Sequence, residues 1–96
     1  MRTRVVNKKS LKGAWPADAV FVGRPSVWGN PFVIGRDGTR EQVVAKYREY
    51  VTKQPELMAR LPELYGKTLI CYCAPLLCHG SVLAELAELD HLKRNP

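Results

Sequence analysis

Short apolar runs alternate with stretches of glycine, proline and charge, and the period of the apolar positions changes along the chain. "RTRVVN" (2–7) is β-prone and is expected to form a first or edge strand. "KKSLKGAWPADA" reads as a loop broken by Gly13 and Pro16. "AVFVGR" (19–24) is a second strand ended by glycine. The stretch "RPSVWGNPFVIGRDGT" has two prolines and three glycines among few apolar residues. It predicts a long structured loop, with a short strand at "FVI". Loops of that length in small domains are often functional.

Thr39 and Gln42 have the spacing of a capping box, so a helix should follow. Val43, Tyr47, Tyr50 and Val51 form its apolar stripe with Val44 alongside, while Lys46, Arg48, Glu49 and Lys53 face away. Pro55 ends this helix or opens the next. "ELMARLPELYG" predicts a short helix closed by Pro62 and Gly66, and "KTLICYC" (67–73) a central, buried strand. The final helix is expected from about Ser81 to Leu92, with Val82, Leu86 and Leu89 in one stripe, Leu83 beside it, and Glu85 and Glu88 facing solvent. The order β-β-loop-α-α-β-α predicts a small α/β domain with a sheet of three or four strands, at least partly parallel, in two or three layers.

Length adds that the 96 residues form one domain, 1–96, with a single modest core. No apolar run approaches a membrane span, and the basic start lacks the apolar stretch of a signal peptide. A cytoplasmic protein without a membrane partner is expected. Three cysteines cannot all pair within one chain, which fits a reducing compartment.

Charge is uneven. Residues 1–40 carry eight basic and two acidic side chains, whereas residues 41–96 carry seven of each. The net +6 therefore sits in the N-terminal half. It is either a solvated surface or an electropositive face for phosphate.

All three cysteines lie in "CYCAPLLCHGS" (71–81). Three readings compete. Zinc held by Cys71, Cys73, Cys78 and His79 has sufficient ligands, but adjacent Cys78 and His79 rarely reach one ion, and no Cys-x2-Cys pair is present. A nucleophilic Cys78 would sit near a helix N-terminus that lowers its pKa, but no carboxylate is nearby to orient His79. The third reading needs only backbone: unpaired amides opening the helix at Gly80 and Ser81 bind an anion, with His79 and the Ser81 hydroxyl adding donors. This last reading is preferred, with no metal or other cofactor.

"GRPSVWGNPF" (23–32) carries further candidates. Arg24 offers a fork of donors to phosphate. Trp28, next to Gly29 in a polar loop, either is exposed and stacks on a base or anchors the loop to the core. Asn30 suits a base edge or ribose, while Phe32 anchors the loop to the core. Ser26 and Arg40 complete the candidate set of Arg24, Ser26, Trp28, Asn30, Arg40, Cys78, His79, Gly80 and Ser81.

The motifs Gly-Arg-x-x-x-Trp-Gly-Asn-Pro-Phe and Cys-x-Cys…Cys-His-Gly, with "VVN" and "IGRDGTR", resemble an uncharacterised family known as domain of unknown function 4326, frequent in phages and bacteria. The matching positions include Asn7, Gly23, Arg24, Trp28 to Phe32, Asp37, Gly38, Arg40, Cys71, Cys73 and Cys78 to Gly80. The ending also resembles a second α/β family with a Cys-His-Arg turn, although Gly80 stands where that family has arginine. The resemblance implies a Rossmann-like domain with its motif residues on loops. It also hints at a phage role in nucleotide metabolism, DNA modification or countering host defence.

The combined expectation is a homodimer or higher homo-oligomer that binds a nucleotide or nucleotide-derived signal, such as a phage protein sequestering a defence messenger. Binding is favoured over catalysis. The alternatives are a hydrolase or glycosyl-transferring enzyme using Cys78 and His79, a nucleic-acid-binding module, and a zinc-stabilised interaction domain.

Overall fold

The computed structural model of the chain describes residues 3–24, 26–72 and 78–94. Three strands, β1 (Arg4–Asn7), β2 (Ala19–Phe21) and β3 (Thr68–Cys71), form an all-parallel sheet in the order β1-β3-β2. Every residue of β3 is buried, as expected for a central strand read from "TLIC". Helices α1 (Arg40–Thr52), α2 (Pro55–Met58) and α3 (His79–Arg94) follow β2 and β3, with 3-10 turns at Lys8–Leu11 and Leu61–Glu63. The chain is a small α/β domain, as its pattern predicts. Among the described residues no helix is long and apolar enough to cross a membrane.

Pairing in register puts Val5, Val20, Leu69 and Cys71 on one face of the sheet. That face and Val22 pack on the helices, against Val44, Tyr47 and Val51 of α1 and Val82, Leu83, Leu86 and Ala87 of α3. Each fully buried leucine or valine contributes roughly 1.5–3 kcal/mol. The opposite face holds Phe21, flanked by Trp15 at 6.1 Å and Tyr72 at 5.7 Å between ring centroids.

The capping box at α1 is complete. Thr39 Oγ1 accepts from the Gln42 amide at 3.3 Å, and Gln42 Oε1 accepts from the Thr39 amide at 2.8 Å. Pro55 begins α2 at its first position, where its missing N–H costs nothing. The single helix expected over "ELMARLPELYG" is instead α2 and a separate 3-10 turn, because Pro62 has no N–H for the Met58 carbonyl and its ring would clash with it.

Three other expectations are corrected. "FVI" forms no strand, since the Val33 amide bonds the Asp37 carboxylate at 2.8 Å and the chain turns there. The buried stripe of α3 is centred towards Leu83 and Ala87, which leaves Leu89 45 % exposed at its edge. Glu88 is half-buried, and its carboxylate accepts from the Thr3 amide at 3.0 Å.

Candidate functional site

The site begins with how the loop after β2 is held. Gly29 lies against Arg24: a Cβ there would sit 2.8 Å from Arg24 Cγ and 3.1 Å from Arg24 Cα. Only glycine lets the loop fold back so tightly. The fold-back turns Trp28 inward. Its indole is 3 % exposed and belongs to the core, and the Arg60 guanidinium lies 5.9 Å from the ring centroid. The Trp28 carbonyl accepts the Tyr47 hydroxyl at 2.6 Å. Of the two readings of Trp28 the exposed, base-stacking one is therefore corrected, and the indole anchors the loop to the core.

Downstream, the Asn30 side chain shapes the backbone. Its Oδ1 accepts from the Phe32 amide at 2.9 Å, and its Nδ2 donates to the Val43 carbonyl at 3.4 Å. Asp37 closes the loop's far end. The Val33 amide and the Arg36 guanidinium hold its carboxyl below the usual range, and Lys46 donates to its carbonyl.

These constraints leave a cavity of about 280 Å³ beyond the carboxyl ends of β2 and β3. In open α/β sheets ligands bind at that end. Arg24 and Arg40 line it, with Asn30, Cys78 and His79. Five of the nine predicted site residues, drawn from three separate segments, thus converge. Ser26, Trp28, Gly80 and Ser81 are not in the lining. Ser26 Oγ accepts from the Trp28 amide at 3.3 Å, a turn-stabilising role. Among the described residues Arg24 has neither a hydrogen-bond nor an ion-pair partner, although its residue is exposed.

Sequence reasoning missed the apolar wall. Phe32, Val33, Val43, Val44 and Tyr72 line the cavity. Phe32, expected to anchor the loop to the core, is only half-buried, with Tyr50 edge-on at 6.3 Å. Tyr72 is set by Asn7 Nδ2, which donates to its carbonyl at 3.0 Å, and by Lys8, whose amine lies 5.5 Å from the ring. Its position one residue past the central strand was the available signal.

The floor is the start of α3. His79 is buried, with Nε2 and the Val22 carbonyl 2.6 Å apart and the Tyr47 ring edge-on at 5.1 Å. Cys78 Sγ lies 3.6 Å from Cys71 Sγ. The Cys78 thiol is pushed down to about 5. The hydrogen bond from Cys71 is the largest cause, opposed by burial and supported by the Ser81 and Gly80 amides and the neighbouring His79. The Ser81 amide donates to the Cys78 carbonyl at 3.0 Å, closing a turn within the chain. The Ser81 amide of the expected anion site is thus engaged within the chain, and neither Gly80 nor Ser81 lines the cavity. Gly80 permits the arrangement, since a Cβ there would lie 3.0 Å from Val5 Cγ1 and 3.4 Å from Cys78 Sγ.

Among the described residues no three metal-ligating side chains gather. Cys73, the fourth member of the zinc set considered with Cys71, Cys78 and His79, lies outside the described residues.

Fold and site together define a small α/β domain with a parallel sheet and a cavity at the strands' carboxyl ends. The chain belongs to the family described as Domain of unknown function (DUF4326), which it matches over residues 6–89. That span includes every lining residue. Neither a curated protein nor a solved structure matches the chain.

Proposed function

We propose that the domain binds a mononucleotide-sized, nucleotide-derived small molecule in the cavity beyond β2 and β3. What carries the reading is the meeting of Arg24 and Arg40 with an apolar wall of Phe32, Val33, Val43 and Val44 in one cavity. Guanidiniums grip phosphate through paired donors, and an apolar slot takes a base. A volume of about 280 Å³ is just below the usual range for pockets enclosing drug-sized ligands, so it suits one nucleoside unit better than a dinucleotide.

The Cys78 thiolate fixes the ligand's orientation. A second negative charge beside it is unfavourable in a partly dry site. The phosphate therefore lies towards the mouth, on Arg24 and Arg40, and the uncharged end towards Cys78 and His79. Sequestration of a nucleotide messenger is the role that fits a binding protein of this kind.

Heat-extracting purified protein and identifying the released small molecules by mass spectrometry tests the reading. Titration with nucleoside monophosphates, diphosphates and cyclic nucleotides extends the test. A stoichiometric nucleotide, or saturable binding of one, supports it, and neither appearing across the panel overturns it. Binding only to oligonucleotides, with a steep salt dependence, would replace it with a nucleic-acid module.

A second reading, covalent processing of the ligand, is favoured by one observation: the acidified thiol of Cys78 lines the same cavity. Turnover of a bound nucleotide lost in Cys78→Ala would establish it.

A further inference from the structure

The two buried cysteines support chemistry that ligand binding does not use. We infer that Cys78 and Cys71 form a redox-active thiol pair, in which Cys78 reduces a hydroperoxide entering the cavity and Cys71 resolves the product as a disulfide.

Three features converge on this. First, the sulfurs already touch at 3.6 Å, so closing to a disulfide of about 2.05 Å requires an approach of about 1.5 Å. Second, the two cysteines are held differently. Cys71 is fixed in the central strand opposite Asn7, whereas Cys78 stands outside the sheet, immediately before α3. The movement therefore falls to Cys78. Third, Cys78 lines the cavity, so a small oxidant reaches it, while Cys71 is not in the lining.

The local chemistry fits the same division of labour. The thiolate is the nucleophilic form, and it is favoured by the Cys71 thiol 3.6 Å away and by its place at the start of a 16-residue helix. His79 Nε2 sits against the Val22 carbonyl, so the adjacent imidazole is anchored to the backbone.

The steps balance with a hydroperoxide as oxidant. The Cys78 thiolate attacks one peroxide oxygen, forming an S–O bond and breaking the O–O bond. With hydrogen peroxide the other oxygen leaves as hydroxide and is protonated to water. Sulfur gives up two electrons and the peroxide takes them, leaving a sulfenic acid. The Cys71 thiol then attacks the Cys78 sulfur. An S–S bond forms, the S–O bond breaks, and the departing oxygen takes the Cys71 proton to leave as a second water. A cellular dithiol returns the pair to the reduced state by exchange.

The experiment treats reduced, full-length protein with one equivalent of hydrogen peroxide and maps the cysteines by mass spectrometry. Chymotryptic cleavage after Tyr72 separates Cys71 from Cys73 and Cys78, and cleavage at Leu76 and Leu77 separates the last two. The expected result is a Cys71–Cys78 disulfide, also formed in Cys73→Ser protein. In Cys71→Ala the oxidised product is a Cys78 sulfenic acid trapped by dimedone.

A second measurement does not depend on any variant folding. The rate at which iodoacetamide labels Cys78 in the unsubstituted protein should rise through pH 5 and level off well below pH 8, because the reacting form is the thiolate and the thiol titrates at about 5. The inference is overturned by labelling that rises only above pH 8. It is also overturned by a disulfide through Cys73 in place of Cys71, or by a stoichiometric zinc ion that comes with the protein and shields both thiols. None of these readouts requires a nucleotide, so the pair stands or falls separately from the proposed ligand.

Discussion

The two ends of the sheet are built from similar residue types and are finished in opposite ways. At the amino end of the strands, polar groups answer one another. Arg4 donates to the Thr68 hydroxyl at 2.8 Å, that hydroxyl donates to the Asp18 carboxylate at 3.1 Å, the Thr3 amide bonds Glu88, and the Gly66 amide bonds the Thr3 hydroxyl at 2.9 Å. At the carboxyl end a guanidinium without a partner among the described residues, Arg24, lines a cavity together with Cys78, whose thiol is pushed below its usual range by the Cys71 thiol. Satisfied networks stabilise a fold. Charged groups without partners that face a hollow mark a candidate site. Substitutions at the amino end should therefore unfold the protein, and those at the carboxyl end should disarm it.

The largest effect should come from a residue that only seems to belong to the carboxyl end. Trp28→Ala removes a core indole and is expected to cost about 3–5 kcal/mol in urea unfolding. An unchanged unfolding midpoint with weakened nucleotide binding would return Trp28 to the site and blur the contrast. Next, Thr68→Val deletes the hydroxyl that bridges Arg4 and Asp18, at a cost of about 1–3 kcal/mol, with ligand binding intact. A smaller loss of about 1 kcal/mol is expected for Tyr47→Phe, which removes the bond to the Trp28 carbonyl. Smallest in stability is Arg24→Ala, within about 0.5 kcal/mol of the parent because the side chain is exposed and without a partner among the described residues. A large destabilisation there would mean that Arg24 is structural.

Much of this arrangement can be read from local chemistry. The Thr39–Gln42 box starts α1 where it should, and "TLIC", with three apolar residues after Thr68, is the central strand, buried along its whole length between β1 and β2. Arg24, Asn30, Arg40, Cys78 and His79 carry polar chemistry on loops and at helix starts, and the parallel topology brings them to one cavity because the described strands all end on the same side.

Where the reading failed, the deciding contact is distant in sequence. Whether an indole in a Gly-rich loop faces water or core depends on Tyr47 and Arg60, 19 and 32 positions further on. The place of the Cys78 sulfur at the cavity floor depends on Cys71 in the central strand, and the close packing at Gly80 on Val5 of β1. The cavity wall was missed because Phe32 and Tyr72 are apolar, and apolar residues read by default as core.

The central claim is that the carboxyl end of the sheet receives a phosphate-bearing ligand through Arg24. Isothermal titration of a nucleoside monophosphate, diphosphate and cyclic nucleotide panel into the parent protein and Arg24→Ala tests it most directly. The account predicts one saturable site per chain for at least one member, weakened about tenfold or more in Arg24→Ala, as expected for the loss of roughly 1.4 kcal/mol or more from a charged contact. Equal affinity in the two proteins, or no saturable heat with any member, would contradict it.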